Sequence, residues 1–210
     1  MTIFDLLFIL SVLFVVILLV RIAISALRRR WSSTLRLGRL LGGFLALYFV
    51  ALVGFALALP RKIYAPGERR CFDDWCAIAV EAKPADAAGA CPADPGSSEW
   101  IAAIEVSSLA RGIRQRARDA HAELEDRQGA RYSPCAPALA QSKNPARVLT
   151  DPLGPGESFR VYLPFRLPAG RTPAGLVLHH GDNPGAVIIG ADQSLLHTPA
   201  IQRFPAQPSR

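Results

Sequence analysis

The sequence predicts two N-terminal transmembrane helices followed by one all-β sandwich domain, and three observations lead to this prediction. Two long apolar runs lie within the first 60 residues, and arginines separate them. The rest of the chain alternates between apolar and polar residues with a period of two, interrupted by turn-forming residues. The 210 residues leave room for one ordinary domain besides the helices, because a single core saturates at about 100 to 200 residues.

Each apolar run is long enough to cross a membrane. A hydrocarbon core about 30 Å thick requires about 20 apolar residues at a rise of about 1.5 Å each. Residues 3–24 meet this length, and residues 40–59 contain no charged side chain. We therefore predict transmembrane helices over 3–24 and 40–59, joined by a basic loop at 25–39. Gly38 with Gly42, and Gly54 with Ala58, have the spacing of helix contacts, for which packing within this hairpin is the simplest use.

A cleaved signal peptide is the alternative for these runs. The first run begins without the positive charge that signal peptides carry. The second run offers the small residues Ala56 and Ala58 after a basic stretch, which resembles a cleavage site. Its apolar core is longer than the usual length of about 7 to 15 residues, so we favour two retained spans.

The net charge of +7 belongs to the segment around the apolar runs. Asp5 is the only acid before residue 60, and residues 61–210 carry 18 basic and 16 acidic residues. Nucleic acid is therefore not an expected partner of the domain. Arginines flanking a span mark the cytoplasmic side, which places the N-terminus and residues 61–210 outside the inner (cytoplasmic) membrane, with the lipid bilayer as a partner. The six arginines in question are Arg21, Arg28, Arg29, Arg30, Arg36 and Arg39.

All four cysteines follow the second run, which is typical of an oxidising compartment. The spacings of 4, 14 and 43 intervening residues match neither a zinc ribbon nor a CxxC redox pair. Of the three pairings that four cysteines allow, we predict Cys71 with Cys76 and Cys91 with Cys135. The first bridge requires a tight turn, because an extended segment of that length would separate the Cα atoms by about 16 Å rather than about 5.5 Å.

The clearest strand is Ser158–Leu167. In it Phe159, Val161, Leu163, Phe165 and Leu167 share one face, and Pro164 indicates a sheet edge or a bulge. Turn residues separate the shorter strand candidates, and about seven short strands predict a sandwich. These candidates are Cys76–Glu81, Trp100–Ser107, Ala120–Asp126, Leu176–His180, Ala186–Ile189 and Ala200–Phe204.

Four motifs in order resemble a group of bacterial proteins. They are Gly67–Trp75 (GERRCFDDW), Asp126–Tyr132 (DRQGARY), Leu153–Ser158 (LGPGES) and Gly175–Leu178 (GLVL). Together they look like uncharacterised bacterial membrane-anchored proteins with an extracytoplasmic immunoglobulin-like domain. The resemblance covers most of residues 65–205 and implies an all-β immunoglobulin-like sandwich. It brings no known catalytic residues.

The stretch Ser108–Asp126 is ambiguous between a helix and two strands. Its propensities permit an amphipathic helix. Gly112 interrupts that pattern, and the resemblance implies strands. We therefore predict a strand, a loop and a strand there, with long loops at 83–98 and 134–156.

Two groups of residues, one of aspartates and one built on histidines, are candidate metal-binding sites. Asp73 and Asp74 could bind calcium, but no DxDxDG-like loop supplies the six or more oxygens required, so a turn is the favoured interpretation. His179 and His180 could meet His197 and Asp182. Adjacent residues on a strand point to opposite faces, so at most one of the two histidines can join such a site. We assign no metal ligands and no cofactor.

A run of four arginines is the main charged feature of the domain. It could meet lipid head groups or an anionic envelope polymer. The alternative, which we favour, is a solvated segment balanced by nearby acids. The arginines are Arg111, Arg114, Arg116 and Arg118, and the acids are Asp119, Glu123, Glu125 and Asp126.

No catalytic motif is present: there is neither a GxSxG nucleophile elbow nor a GxxxxGK phosphate loop. We therefore expect a non-enzymatic extracytoplasmic module, anchored in the membrane, that binds an envelope protein or polymer. A periplasmic thiol-redox or metal-binding protein is the alternative, and an envelope hydrolase is third. In this interpretation residues 1–60 form the membrane hairpin and residues 61–210 form the binding domain.

Overall fold

The computed structural model describes residues 3–85, 90–92, 94–136, 147–180, 187–189 and 196–205. The chain divides into two compact units. One comprises Met1–Arg61 with Asn183–Thr198, and the other comprises Lys62–Asp182 with Pro199–Arg210. The first unit holds two helices and the second holds a β-sandwich.

The first unit is built on helices α1 (Ile3–Leu27) and α2 (Trp31–Ala58). Both are long and apolar enough to cross a membrane, and few of their side chains are buried in the protein. The two helices pack through aromatic pairs, with ring centroids 4.8 Å apart for Phe14 and Phe44 and 6.1 Å apart for Phe4 and Phe55. High exposure of apolar side chains distinguishes this pair from the core helices of a soluble domain.

The predicted loop at 25–39 is wrong, because only Arg28–Arg30 separate the two helices. Arginine and leucine are good helix formers, so the basic stretch after residue 30 continues as helix. Helix α1 ends where Arg29 takes the left-handed conformation (φ 52°) and the Arg30 N–H donates to the Ser25 carbonyl. This is the hydrogen-bond pattern of a Schellman motif.

The helix glycines do not mediate the packing of the hairpin. A Cβ atom added at Gly38, Gly42 or Gly54 would meet no neighbouring atom within 4 Å. The expected use of Gly38, Gly42 and Gly54 in helix packing is therefore wrong for this pair, in which two phenylalanine pairs contribute contacts.

The second unit contains nine strands within the described residues, in two sheets. The strands are β1 (Ile63–Tyr64), β2 (Arg70–Phe72), β3 (Trp75–Pro84), β4 (Ser97–Ser108), β5 (His121–Asp126), β6 (Arg131–Tyr132), β7 (Ser158–Pro168), β8 (Pro173–His179) and β9 (Ile201–Arg203). One sheet has the order β2-β3-β4-β7 and the other has the order β1-β9-β8-β5-β6. All pairings are antiparallel except that of β1 with β9.

The core combines side chains from both sheets. Trp75, Ile104 and Phe165 from the first sheet and Leu124 and Leu178 from the second belong to one buried cluster. This shared core makes the domain a β-sandwich, as the sequence predicts.

Strand β7 follows the predicted alternation. Four of the five residues expected on its inner face are buried, and Phe159 packs against the core partly exposed. Because β7 is an edge strand, Pro164 costs the sheet no hydrogen bond, and its carbonyl accepts the Cys135 N–H. The predicted edge position of Pro164 is confirmed.

Loop 109–120 joins β4 to β5, so the predicted strand, loop and strand over Ser108–Asp126 is confirmed. The strand predicted at Ala186–Ile189 is wrong for Val187–Ile189, which are not extended, and Ala186 lies outside the described residues. Val187 instead belongs to the helical unit, where its carbonyl accepts the Tyr48 hydroxyl at 2.6 Å. An apolar run with strand propensity forms a strand only where a partner strand is available.

Two disulfides connect the four cysteines in the pairing that the sequence predicts. Cys71 is bonded to Cys76 with a Cα–Cα distance of 4.0 Å, and Cys91 is bonded to Cys135 with a Cα–Cα distance of 5.1 Å. Such bonds persist in oxidising compartments, which agrees with an extracytoplasmic domain.

Candidate functional site

One end of the sandwich gathers the residues that the sequence marks as candidates. Strand register places Trp75 opposite Ser108, where β4 ends, and His121 opposite His179, where β8 ends. The turn between β2 and β3, loop 109–120 and His180 therefore lie together. We call this region the hairpin end.

The β2–β3 hairpin closes with a two-residue turn of Asp73 and Asp74. Asp73 has a positive φ of 60°, a conformation that aspartate tolerates better than most residues. The Asp74 carbonyl accepts the Leu109 N–H at 2.8 Å, and Asp74 Oδ2 accepts the Gln115 side-chain amide at 3.1 Å. The aspartates therefore form and anchor a turn, as the sequence analysis favours over a calcium loop.

A cleft of about 270 Å³ opens beside this turn. Phe72, Trp75 and His180 form its aromatic part, with ring centroids 5.2 to 5.8 Å apart. Trp75 is almost wholly buried, with 2 % of its surface exposed, so it forms a fixed wall of the cleft. The polar part of the lining consists of Asp73, Gln115 and Arg116, and Ala117 completes it.

A carboxylate orients His180 in the cleft. His180 Nδ1 lies 2.8 Å from Asp119 Oδ1. The backbone carbonyl oxygen of Asp119 lies 3.0 Å from His121 Nδ1. A histidine–carboxylate pair can act as a general base when a nucleophile lies within hydrogen-bond distance of the second ring nitrogen. All four cysteines are in disulfides, so none of them can be a thiol nucleophile here.

His179 belongs to a separate cluster. Its ring stacks on His121 at 4.5 Å, and its Nε2 lies 3.6 Å from Glu123 Oε2. Burial and then the neighbouring His121 lower the pKa of His179, while Glu123 partly offsets the shift. His179 and His180 thus separate to opposite faces, as alternation along a strand requires.

Of the histidine-based metal site considered above, the described part of the sandwich contains only His179 and His180. His197 belongs to the helical unit, where its Nδ1 lies 3.1 Å from the Ala56 carbonyl, and Asp182 lies outside the described residues. Across the part of the chain that the structure describes, no three histidine, cysteine or acidic side chains converge as metal ligands.

The acids expected to balance the arginine run are paired with other groups. Asp119 contacts His180 and Glu123 contacts His179, as above. Glu125 pairs with Arg131 at 3.3 Å, and Asp126 pairs with Arg171 at 3.2 Å. All four arginines of the run are exposed, and Arg116 donates to the Thr150 carbonyl. Proximity along the sequence therefore misidentifies the partners of these acids.

Sequence reasoning missed the aromatic cluster, although part of it had a signal. Phe72 and Trp75 flank the two-residue turn and are direct cross-strand partners, as the pairing of Cys71 with Cys76 requires. The contact of His180 with Asp119 spans 61 residues and has no local signature.

No protein-family model and no curated protein matches this sequence. The fold is similar to three solved structures, each at a TM-score of 0.42. A secreted protein of Mycobacterium tuberculosis, MPT63, is 17 % identical over 59 % of this chain and 93 % of its own. An uncharacterised β-sandwich protein of Clostridium difficile is 11 % identical, over 70 % of this chain and 97 % of its own. A conserved hypothetical protein of Bacillus anthracis is 14 % identical, over 56 % and 89 % respectively.

Proposed function

We propose that this protein is a non-enzymatic binding module with an immunoglobulin-like sandwich, held on the extracytoplasmic side of the inner membrane by helices α1 and α2. The helices have 25 and 28 residues, which gives them lengths of about 37 and 42 Å. Both lengths exceed a hydrocarbon core of about 30 Å. The arginines at the turn between the helices favour a cytoplasmic turn, and the disulfides favour an oxidising environment for the sandwich.

The cleft at the hairpin end is the observation that carries the binding role. Its volume of about 270 Å³ is slightly below the range of about 300 to 1,000 Å³ typical of small-molecule pockets. A cleft of this size suits one flat ring or one side chain of a larger partner. Aromatic walls provide the stacking surface, and Arg116 and Gln115 provide donors at its rim.

The cleft is also held in shape before any ligand arrives. The Cys71–Cys76 disulfide joins the two strands that carry Phe72 and Trp75. Asp74 fixes Gln115, and Asp119 fixes His180. Preorganised side chains lose little conformational entropy on binding, which favours recognition of an envelope protein or polymer.

Photocrosslinking in intact cells tests this role. A photoreactive p-benzoylphenylalanine at Arg116, which lines the cleft, is expected to capture a partner. The same group at Gln128, an exposed residue of the turn between β5 and β6, is the matched control. Phe72→Ala should abolish capture at position 116 while both disulfides stay oxidised. Equal capture at the two positions, or capture that Phe72→Ala leaves unchanged, would contradict a binding role for the cleft.

A further inference from the structure

We propose that loop 109–120 is a membrane-docking loop, in which Leu109 and Ile113 enter the lipid interface while the adjacent arginines bind lipid phosphates. The docking surface consists of Leu109, Arg111, Ile113 and Arg114, which precede the loop residues that line the cleft. The inference rests on the proposed anchoring of α1 and α2 in the membrane. The loop would hold the hairpin end of the sandwich against an anionic bilayer.

Two large apolar side chains of this loop are exposed. Ile113 has 75 % of its surface exposed and Leu109 has 48 %. Single exposed apolar residues are common on protein surfaces. These two, however, occur four residues apart in a short loop in which Arg111 and Arg114 are also exposed. Apolar residues among basic ones are the composition of segments that lie in the membrane interface.

The loop itself is positively charged, because residues 109–120 contain four arginines and one acid, Asp119. Among the described residues, Arg111 and Arg118 form no ion pair, and Arg114 has a long-range interaction with Glu157. Neighbouring segments add the acids Asp73, Asp74, Asp151 and Glu157, of which Asp151 and Glu157 pair with Arg147. Positive charge is therefore concentrated in the loop itself, beside its exposed apolar side chains.

Arginine chemistry favours a phosphate ligand. The planar guanidinium binds phosphate oxygens through two parallel hydrogen bonds. Basic residues close to an anionic leaflet are attracted to it by the negative surface potential. Burial of Leu109 and Ile113 in lipid adds a hydrophobic contribution to binding that a soluble polyanion could not provide.

Chain connectivity favours a lipid surface over a free polymer. Strand β1 is parallel to β9 and begins at Ile63, opposite Ile201, so the chain enters the sandwich at the same end as the loop. Only Leu59–Lys62 separate the last residue of α2 from β1. Five Cα steps reach at most about 18 Å, so the proposed anchoring would keep this end of the sandwich close to the membrane surface.

Spin labelling of the full chain in vesicles tests the docking. A nitroxide on Ile113→Cys is expected to be more accessible to oxygen than to a water-soluble nickel chelate in vesicles of phosphatidylcholine and phosphatidylglycerol. The native cysteines are disulfide-bonded and do not react with the label. Gln128→Cys, at the opposite end of the sandwich, should be aqueous, and Leu47→Cys, in the middle of α2, should report lipid.

Charge reversal separates docking from a general effect of the label. Arg111→Glu combined with Arg114→Glu should remove the lipid signature at position 113, whereas Arg127→Glu at the opposite end should leave it unchanged. Vesicles of phosphatidylcholine alone should weaken the signature, because they lack the anionic lipid.

Three outcomes would overturn the proposal. An aqueous label at position 113 together with a lipid-exposed label at position 47 rejects docking but leaves the anchoring intact. An aqueous label at position 47 rejects the anchoring as well. An aqueous label at position 113 that becomes shielded only when soluble polyphosphate is added would assign the loop to a polymer instead of lipid.

Discussion

The Asp126 carboxylate accepts four hydrogen bonds. Its side chain is fully buried. One oxygen accepts the N–H groups of Gln128 and Ala130, and the other accepts the Tyr132 hydroxyl and an Arg171 N–H. Burial alone would raise the pKa of Asp126, but these hydrogen bonds and the Arg171 charge lower it below 3.8. The residue fixes the turn between β5 and β6 and attaches Arg171 to it.

Asp126→Asn should lower the free energy of unfolding by about 2 to 4 kcal/mol. The amide oxygen can still accept the two backbone N–H groups, but the amide nitrogen faces two donors, the Tyr132 hydroxyl and Arg171, and cannot accept from either. The substitution removes the buried acceptor of two hydrogen bonds, one of them from a charged group, which is costly. The fall in melting temperature of the full chain in detergent measures the effect. Asp94→Asn, the same change at an exposed position, should leave the melting temperature nearly unchanged.

The same residue should make the sandwich sensitive to acid. Because the folded-state pKa of Asp126 lies below its unfolded value near 3.8, its contribution is fully present above that value and is lost as pH falls through the folded pKa. The difference in stability between the wild type and Asp126→Asn should therefore shrink below about pH 3.8. A difference that stays constant down to pH 2 would show that the charge of Asp126 has no role.

Two turns show which local features the sequence predicts and which it does not. Residues 65–68 and 154–157 both have the pattern X-Pro-Gly-Glu. In each, glycine has a positive φ and the glutamate side chain accepts the N–H of the first residue at 2.7 Å. Proline and glycine predict such turns. The carboxylate that closes each turn is visible only in the structure.

The disulfides act on different elements. Cys91–Cys135 links the loop before β4 to the segment after β6, where the Cys135 N–H donates to the edge strand β7. Cys71–Cys76 links two strands that already pair. The first bridge therefore restricts a long segment of the unfolded chain, and the second supports a short hairpin that lines the cleft.

Removal of the long bridge should cost more stability than removal of the short one. Cys91→Ala with Cys135→Ala opens a loop of 44 residues, for which the chain-entropy model gives about 4 kcal/mol. Cys71→Ala with Cys76→Ala opens a loop of 5 residues and should cost about 2 kcal/mol. Denaturant unfolding of the two double variants compares these costs. A larger loss for the short bridge would mean that the hairpin, not the long loops, limits stability.

Element length decided much of what could be predicted, although the three-residue strand β9 was included in the candidate Ala200–Phe204. Strands β4 and β7, with 12 and 11 residues, have enough alternation to be recognised. Strands β1, β2 and β6 have two or three residues, too few for any period, and they exist because a partner strand is adjacent. Arginines beside an apolar run indicate where an apolar segment ends, but a helix can continue through them. This explains why the loop predicted at 25–39 is wrong.

At the scale of the whole molecule, the sequence predicts two apolar helices before a sandwich but not the surfaces of that sandwich. The disulfide framework was accessible because few pairings exist. The cleft requires Phe72, Gln115 and His180 from three separate segments to meet, and only the sheet register brings them together. Likewise, the environment of the arginine run depends on where four acids find their partners.

Cysteine labelling tests the proposed orientation of the whole chain. Ser33→Cys lies in the first turn of α2 among the arginines, and Gln128→Cys lies in the turn between β5 and β6; both positions are exposed. Since the native cysteines are disulfide-bonded, only the introduced thiol should react with a membrane-impermeant maleimide. In intact spheroplasts, position 128 should be labelled and position 33 should be protected until the membrane is opened. The asymmetry follows from retention of arginine-rich segments in the cytoplasm, whereas a folded segment after the last span is exported largely regardless of its charge. Labelling of position 33 in intact spheroplasts would reverse the topology. Labelling of position 128 only after lysis would place the disulfide-bonded sandwich in a reducing compartment, where neither bridge should persist.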